Sequence, residues 1–172
     1  MIERKGIVTI NGNPLTLIGN ELKPGDKAPG ATLLDTSLNP VELSKFKGKV
    51  VIISAVPSLD TPVCDIETKR FNQMAADMGK DVVILTVSMD LPFAQKRWCG
   101  SEGIENVITL SDHRDAVFGT LYGVLIKELR LLARTIFVID RAGTITYIQT
   151  VKEITKEPDY KEVLAAVRNI VK

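Results

Sequence analysis

The amino-acid sequence predicts an α/β fold, a central mixed sheet flanked by helices and preceded by an N-terminal β-hairpin. Three observations carry this expectation. Two strongly apolar, β-rich runs, residues 50–56 and 81–87, are each followed by a segment of helical periodicity, as parallel strands with helical crossovers require. A later pair of strand-like runs, 135–140 and 144–150, is joined only by Arg141-Ala142-Gly143 and must therefore lie antiparallel. At the start of the chain, Asn11-Gly12 separates two further β-rich runs, a strong hairpin signal.

Gly6-Ile7-Val8-Thr9-Ile10 and Leu15-Thr16-Leu17-Ile18 form the arms of that hairpin, which occupies residues 1–18 as an extension. Residues 23–30, carrying Pro24, Gly25, Pro29 and Gly30, are a loop, and a strand is expected at 31–34. Residues 45–49 read as a solvated turn before the 50–56 strand, which is apolar enough to be central. Pro62 stands where proline is tolerated, at the first position of a helix. Val63, Ile66, Phe71, Met74, Ala75 and Met78 are its expected apolar side, Asp65 and Lys69 an i,i+4 pair, and Gly79 its end. A strand follows at 81–87, then a short helix at 91–99 closed by Gly100. Residues 106–110 are a third strand and 115–121 a short helix. The strand pair and a closing helix at 158–171, apolar at Val163, Leu164, Val167, Ile170 and Val171, complete the order. Strand, helix, strand, helix, antiparallel pair and terminal helix describe a thioredoxin-like α/β sandwich, with residues 1–172 expected to form one domain.

Composition narrows the function classes. Basic and acidic residues number 22 and 21 and are interspersed, so no electrostatic surface for nucleic acid is expected. The opening Met1-Ile2-Glu3-Arg4-Lys5 lacks the apolar core of a signal peptide, and no apolar run is long enough to span a bilayer. A cytoplasmic location follows as the expectation. The two cysteines, Cys64 and Cys99, do not form a CxxC motif, and with His113 as the single histidine the chain is too poor in soft ligands for a zinc site. No metal or other cofactor is expected.

Cys64 carries the chemistry. It falls in the first turn of the helix that Pro62 opens, with Thr61 at the N-cap. Helix N-termini present unpaired N–H groups and partial positive charge, which favour thiolate over thiol. Pro57 ends the preceding strand, since it cannot donate a ladder hydrogen bond. Thr61 can cap the helix and also aim its hydroxyl at the sulfur or at a bound oxygen. Arg134 opens the strand Arg134-Thr135-Ile136-Phe137-Val138, and on a period of two its side chain shares a face with Ile136 and Val138. A guanidinium on a buried face needs a partner. Cys99 lies near the C-terminal end of its short helix, where the dipole gives a thiolate no help. Trp98 and Phe93 read as packing residues.

Pro57, Thr61 and Cys64 match the Pro-x-x-x-Thr/Ser-x-x-Cys signature of the peroxiredoxins. The longer string Ser58-Leu59-Asp60-Thr61-Pro62-Val63-Cys64, Lys69-Arg70-Phe71-Asn72, and the stretch from Ser88 to Cys99 resemble their thiol peroxidase subfamily, as does Tyr122-Gly123-Val124-Leu125-Ile126. The resemblance covers nearly the whole chain. It implies a peroxidase whose peroxidatic residue is Cys64, whose active-site arginine is Arg134, and whose resolving residue is Cys99, closing an intramolecular disulfide with the Cys64 sulfenic acid. It further implies a hydroperoxide substrate, organic hydroperoxides before hydrogen peroxide, thioredoxin as the reductant, and a homodimer. A peroxide-sensing or thiol–disulfide exchange protein of thioredoxin fold is the alternative, against which the missing CxxC argues.

Overall fold

A computed structural model describes residues 1–171. The β-branched runs become β5 (Val50–Ala55) and β6 (Val82–Ser88), which pair in parallel from Val50 opposite Val82 to Ala55 opposite Val87. Parallel neighbours need crossovers, and the chain supplies α1 (Pro62–Met78) between β5 and β6 and α2 (Pro92–Glu102) before β7 (Ile108–Ser111). β10 (Thr135–Ile139) and β11 (Ile145–Thr150) extend the β5 side antiparallel, while β3 (Thr32–Leu34) and β4 (Pro40–Glu42) finish the other. The resulting order is β11-β10-β5-β6-β7-β3-β4. The short α3 (Val117–Leu121) and the closing α4 (Tyr160–Val171) complete the thioredoxin-like arrangement.

Successive side chains on a strand point to opposite faces, and here both faces are covered. Val50, Ile52, Ile84, Ile136 and Val138 pack with Phe71, Trp98, Val163 and Val167 of the helices, and Cys64 belongs to this cluster. Val51, Ile53, Leu85, Phe137 and Ile139 turn the other way, toward Phe118, Tyr122 and the hairpin residues Val8, Leu15 and Leu17. There Phe118 stacks on Tyr122 with centroids 4.2 Å apart, and Phe137 meets both rings edge-on, the arrangement that ring quadrupoles favour.

The predicted hairpin forms β1 (Glu3–Ile10) and β2 (Asn13–Ile18), and its turn takes left-handed backbone at both Asn11 (φ 49°) and Gly12 (φ 82°), as a two-residue hairpin turn requires. It does not stand alone. It joins β8 (Leu125–Ile126) and β9 (Leu131–Leu132) in a second, four-stranded antiparallel sheet, β1-β2-β8-β9. Gly19 and Gly123 allow this sheet to seat: both have positive φ, and a Cβ on either would collide with the Thr120 or Asn20 carbonyl.

Several boundaries depart from the sequence expectation. The turn read at 45–49 begins earlier as a 3-10 turn over Leu43–Phe46 that buries Phe46, and β4 precedes it. The strand expected at 106–110 runs over Ile108–Ser111 instead. α2 passes through Gly100 and stops at Gly103, whose left-handed backbone (φ 65°) turns the Ile104 N–H back to the Cys99 carbonyl at 3.1 Å. The buried side of α1 is Cys64, Glu67, Thr68 and Phe71, whereas Ile66 is exposed. Among the described residues no helix is long and apolar enough to cross a membrane.

Candidate active site

The loop between β5 and α1 places Cys64. The β5 ladder runs out where Val56 N–H donates to Val87 O at 3.0 Å; Pro57, buried and without an N–H, follows it. Asp90 then holds the loop from across the sheet. Its carboxylate accepts from Ser58 Oγ (2.7 Å), the Leu59 N–H (2.8 Å) and Ser88 Oγ (2.7 Å). Thr61 is the N-cap, as the sequence predicts: its backbone is extended, and its Oγ1 accepts from the Cys64 N–H at 3.4 Å. The Thr61 hydroxyl donates to Ser58 O at 2.9 Å, so in this state it serves the loop and the cap. Cys64 itself is fully buried, and Thr68 Oγ1 donates to its carbonyl at 2.8 Å.

Arg134, immediately before β10, reaches this sulfur. It is only 1% exposed, on the side of the sheet shared by Ile136 and Val138, as its place in the strand period requires. Nη2 donates to Cys64 Sγ at 3.2 Å, and Nη1 pairs with Glu67 Oε2 at 2.5 Å. Nε and Nη2 both donate to the Ile154 carbonyl, at 3.0 and 2.9 Å. The other Glu67 oxygen accepts from Ser54 Oγ at 2.7 Å. Burial pushes the Glu67 carboxyl up, against the pull of Arg134 and Ser54. Burial also works against the charge on Arg134, but Glu67 and Cys64 outweigh it and hold the guanidinium above its ordinary value. The arginine keeps its charge because it faces two acceptors that favour it.

Cys99 is apart from this group. It lies in the last turn of α2, half-buried against the cluster that contains Cys64, and both cysteines are free thiols. Its Sγ is 3.5 Å from Thr109 Oγ1. Burial pushes the Cys99 thiol up, with the Thr109 contact pulling the other way. A polar clasp ties the neighbourhoods of the two cysteines together. Asp65, next to Cys64, accepts from the Trp98 indole N–H at 3.0 Å, next to Cys99, and Lys69 bridges Asp65 (2.9 Å) and Glu102 (2.7 Å). Trp98 is thus a packing residue, as expected, but Phe93 is 67% exposed, because α2 turns that side to solvent.

A family model described as Redoxin matches residues 23–164. The thiol peroxidase of Halalkalibacterium halodurans is 55% identical over 161 residues, covering 94% of this chain and 96% of that one. That of Bacillus subtilis is 53% identical over 165 residues, covering 96% and 98%. The chain belongs to the thiol peroxidases of the redoxin family. A crystal structure of a peroxiredoxin-like protein from Aquifex aeolicus is 48% identical and superposes with a TM-score of 0.89, covering 95% of this chain and 96% of that one.

Pro57, Thr61, Cys64 and Arg134, expected from the sequence, are brought together here, but Glu67, Ser54, Asp90 and the Ile154 carbonyl, which complete the cluster, were not expected. Glu67 had a readable signal, since it stands three residues after Cys64 and so on the same helix face. Breaking a buried ion pair by removing one partner leaves the other uncompensated. Glu67→Gln is therefore expected to cost about 3 kcal/mol in urea unfolding, and Glu67→Gln with Arg134→Met should recover much of that loss. Purely additive losses would show that the two groups do not compensate each other.

The Cys99 thiol, raised in the folded state, favours the protonated form there, so its contribution is intact below the ordinary value of 9.0 and is lost as pH climbs through the folded value. Reduced protein should lose amide protection in α2 above that pH, and Cys99→Ala protein should lose less. Equal loss in both would place the alkaline effect elsewhere.

Proposed function

We propose that this chain carries out thiol-dependent peroxide reduction with Cys64 as the attacking sulfur, Arg134 as its cationic partner, and Cys99 as the resolving thiol. The observation that carries the assignment is the 3.2 Å approach of Arg134 Nη2 to Cys64 Sγ, buried at the start of α1. Pro57 and Thr61 are positioning residues in this reading: one ends β5, the other caps α1 and orients the Cys64 amide.

The Cys64 thiolate attacks one oxygen of a hydroperoxide. The S–O bond forms as the O–O bond breaks, Cys64 becomes a sulfenic acid, and the departing alkoxide or hydroxide takes from solvent the proton that the thiol gave up on ionising, leaving as alcohol or water; this is the reversible first step of cysteine oxidation. Charge develops on both oxygens as that bond breaks, and fixed donors must meet it. A guanidinium has five N–H groups, and four are engaged by Ile154, Cys64 and Glu67, which leaves one on Nη1 without a partner among the described residues. That donor is available to a peroxide oxygen. Cys99 then displaces water from the sulfenic acid to form a disulfide. The Asp65–Trp98 and Lys69–Glu102 contacts must release first, so the first turn of α1 and the whole of α2 open together.

Thioredoxin is the proposed reductant of that disulfide, in a reducing compartment such as the cytoplasm, and a homodimer the proposed assembly. Both rest on family resemblance, and the exposed apolar side chains Leu91 and Phe93 beside the site give such partners a surface.

The assignment is tested by adding one equivalent of peroxide and measuring mass without reductant. Wild-type protein should lose two hydrogens, Cys64→Ser should not react rapidly, and Cys99→Ser should stop at sulfenic or over-oxidised Cys64. Arg134→Gln should slow the oxidation about a hundredfold. A disulfide between two copies of Cys64 would instead require a different cycle. Hydrogen exchange on reduced and oxidised protein checks the opening step: protection should fall across residues 61–65 and 91–102 together, and unchanged protection in both would refute it.

A further inference from the structure

The N-terminal hairpin lies outside the 23–164 stretch that the redoxin family model matches, yet it is connected to Arg134. One edge of the guanidinium, Nε and Nη2, rests on the Ile154 carbonyl, so the position of that oxygen sets how the remaining donors meet Cys64 and Glu67. Ile154 lies between β11 and α4, outside the ladders of the large sheet. The hairpin holds it instead.

Ile154 N–H donates to Thr9 O at 3.0 Å, and Thr9 N–H donates to Lys152 O at 2.7 Å, which makes Thr9 and Glu153 an isolated parallel bridge. The Glu153 side chain completes the clamp. Oε1 accepts from Thr9 Oγ1 (3.0 Å) and the Gly12 N–H (2.9 Å). Oε2 accepts from the Asn11 N–H (3.2 Å), the Thr155 N–H (3.2 Å) and Thr155 Oγ1 (2.7 Å). Thr155 and the hairpin-turn donors hold the Glu153 carboxyl down at about 2, so it accepts these bonds as a carboxylate at neutral pH. The same small sheet also delivers the arginine backbone: β9 ends at Leu132, Ala133 N–H donates to Val124 O at 2.8 Å, and Arg134 follows.

We propose that the N-terminal hairpin is a positioning element of the active site, in which Glu153 and Thr9 fix the Ile154 carbonyl that aims Arg134 at Cys64. The inference rests on the roles proposed above for those two residues. Its consequence is selective. Resolution waits on release of the Asp65–Trp98 and Lys69–Glu102 contacts, in which Arg134 takes no part, so loosening the clamp slows oxidation of Cys64 and leaves resolution at the rate of that opening.

Single-turnover stopped-flow of reduced protein with cumene hydroperoxide, followed through Trp98 as the one tryptophan of the chain, separates the two steps. Glu153→Ala should slow oxidation about tenfold, as misplacement of a reacting group does, with resolution at the wild-type rate. Glu153→Gln, which keeps one oxygen for Thr9 and Gly12, should fall between. If Glu153→Ala does not accumulate folded, Thr9→Val removes only the hydroxyl at Oε1 and should slow the same step about threefold, the worth of one hydrogen bond. Val41→Ala, in β4 at the far edge of the sheet, serves as a control for lost stability alone and should leave both steps unchanged. Unchanged oxidation in the clamp variants, or equal slowing in Val41→Ala, overturns the inference. If Arg134→Gln slows oxidation while the clamp variants do not, only the role of the hairpin fails. If Arg134→Gln oxidises at the wild-type rate, the roles of Arg134 and of the hairpin fall together.

Discussion

A guanidinium buried to 1% exposure between a carboxylate and a sulfur persists only if its charge is compensated. That requirement ties together elements distant in sequence. Glu67 must stand on the same face of α1 as Cys64, Ser54 of β5 must occupy the second carboxylate oxygen, and the connection after β11 must turn a carbonyl inward. One side chain thus registers a helix, two strands and a loop. Buried ion pairs commonly return little net stability against an apolar replacement. What this one supplies is better understood as geometry: a donor held at the sulfur by three other contacts.

The two cysteines sit in unequal surroundings. Cys64 is enclosed at the start of a helix anchored on the sheet by Phe71 and the Glu67–Arg134 pair. Cys99 is half-buried in the last turn of a shorter helix, held to the body of the protein in large part by polar contacts at Asp65, Lys69 and Gln95. Polar contacts exchange readily for water, so α2 is the element that the proposed cycle opens while the central strands stay paired. In the proposed cycle this inequality matters, because one thiol must meet substrate in a fixed frame and the other must travel.

The parts of this architecture that a sequence reading recovers are those with local causes. β5 and β6 have apolar runs rich in Val and Ile, the hairpin has Asn11-Gly12, and α1 has its Thr61-Pro62 start. Strands of two or three residues, β4, β8 and β9, carry no period of their own and exist because a partner strand lies beside them. Apolar periodicity gave the inner face of α1 correctly at Phe71, Met74, Ala75 and Met78 but added the exposed Ile66, and it passed over Glu67 and Thr68, which look solvent-facing to any hydropathy reading. Gly100 and Gly103 are equivalent as letters, and only where the chain must leave the helix selects the second. Of the site, the side chains with a motif were legible. The Ile154 carbonyl was not, since a backbone group has no signature in the sequence.

In the proposed cycle Glu67 has a further part. While Cys64 is an anion, Arg134 has two negative partners, and Glu67 competes with the sulfur for the guanidinium. Conversion of Cys64 to a sulfenic acid removes one of those charges, and disulfide formation would carry the sulfur away from Nη2 altogether. Without a second counter-ion, each step would leave a cation buried and uncompensated, at a cost of about 3–5 kcal/mol. With Glu67 in place at 2.5 Å, and Ile154 accepting two more N–H groups, the guanidinium keeps a counter-ion and three engaged donors whatever the state of the sulfur. The carboxylate therefore weakens the hold of Arg134 on reduced Cys64 and in return lets the cysteine change charge and position without disturbing the frame around it.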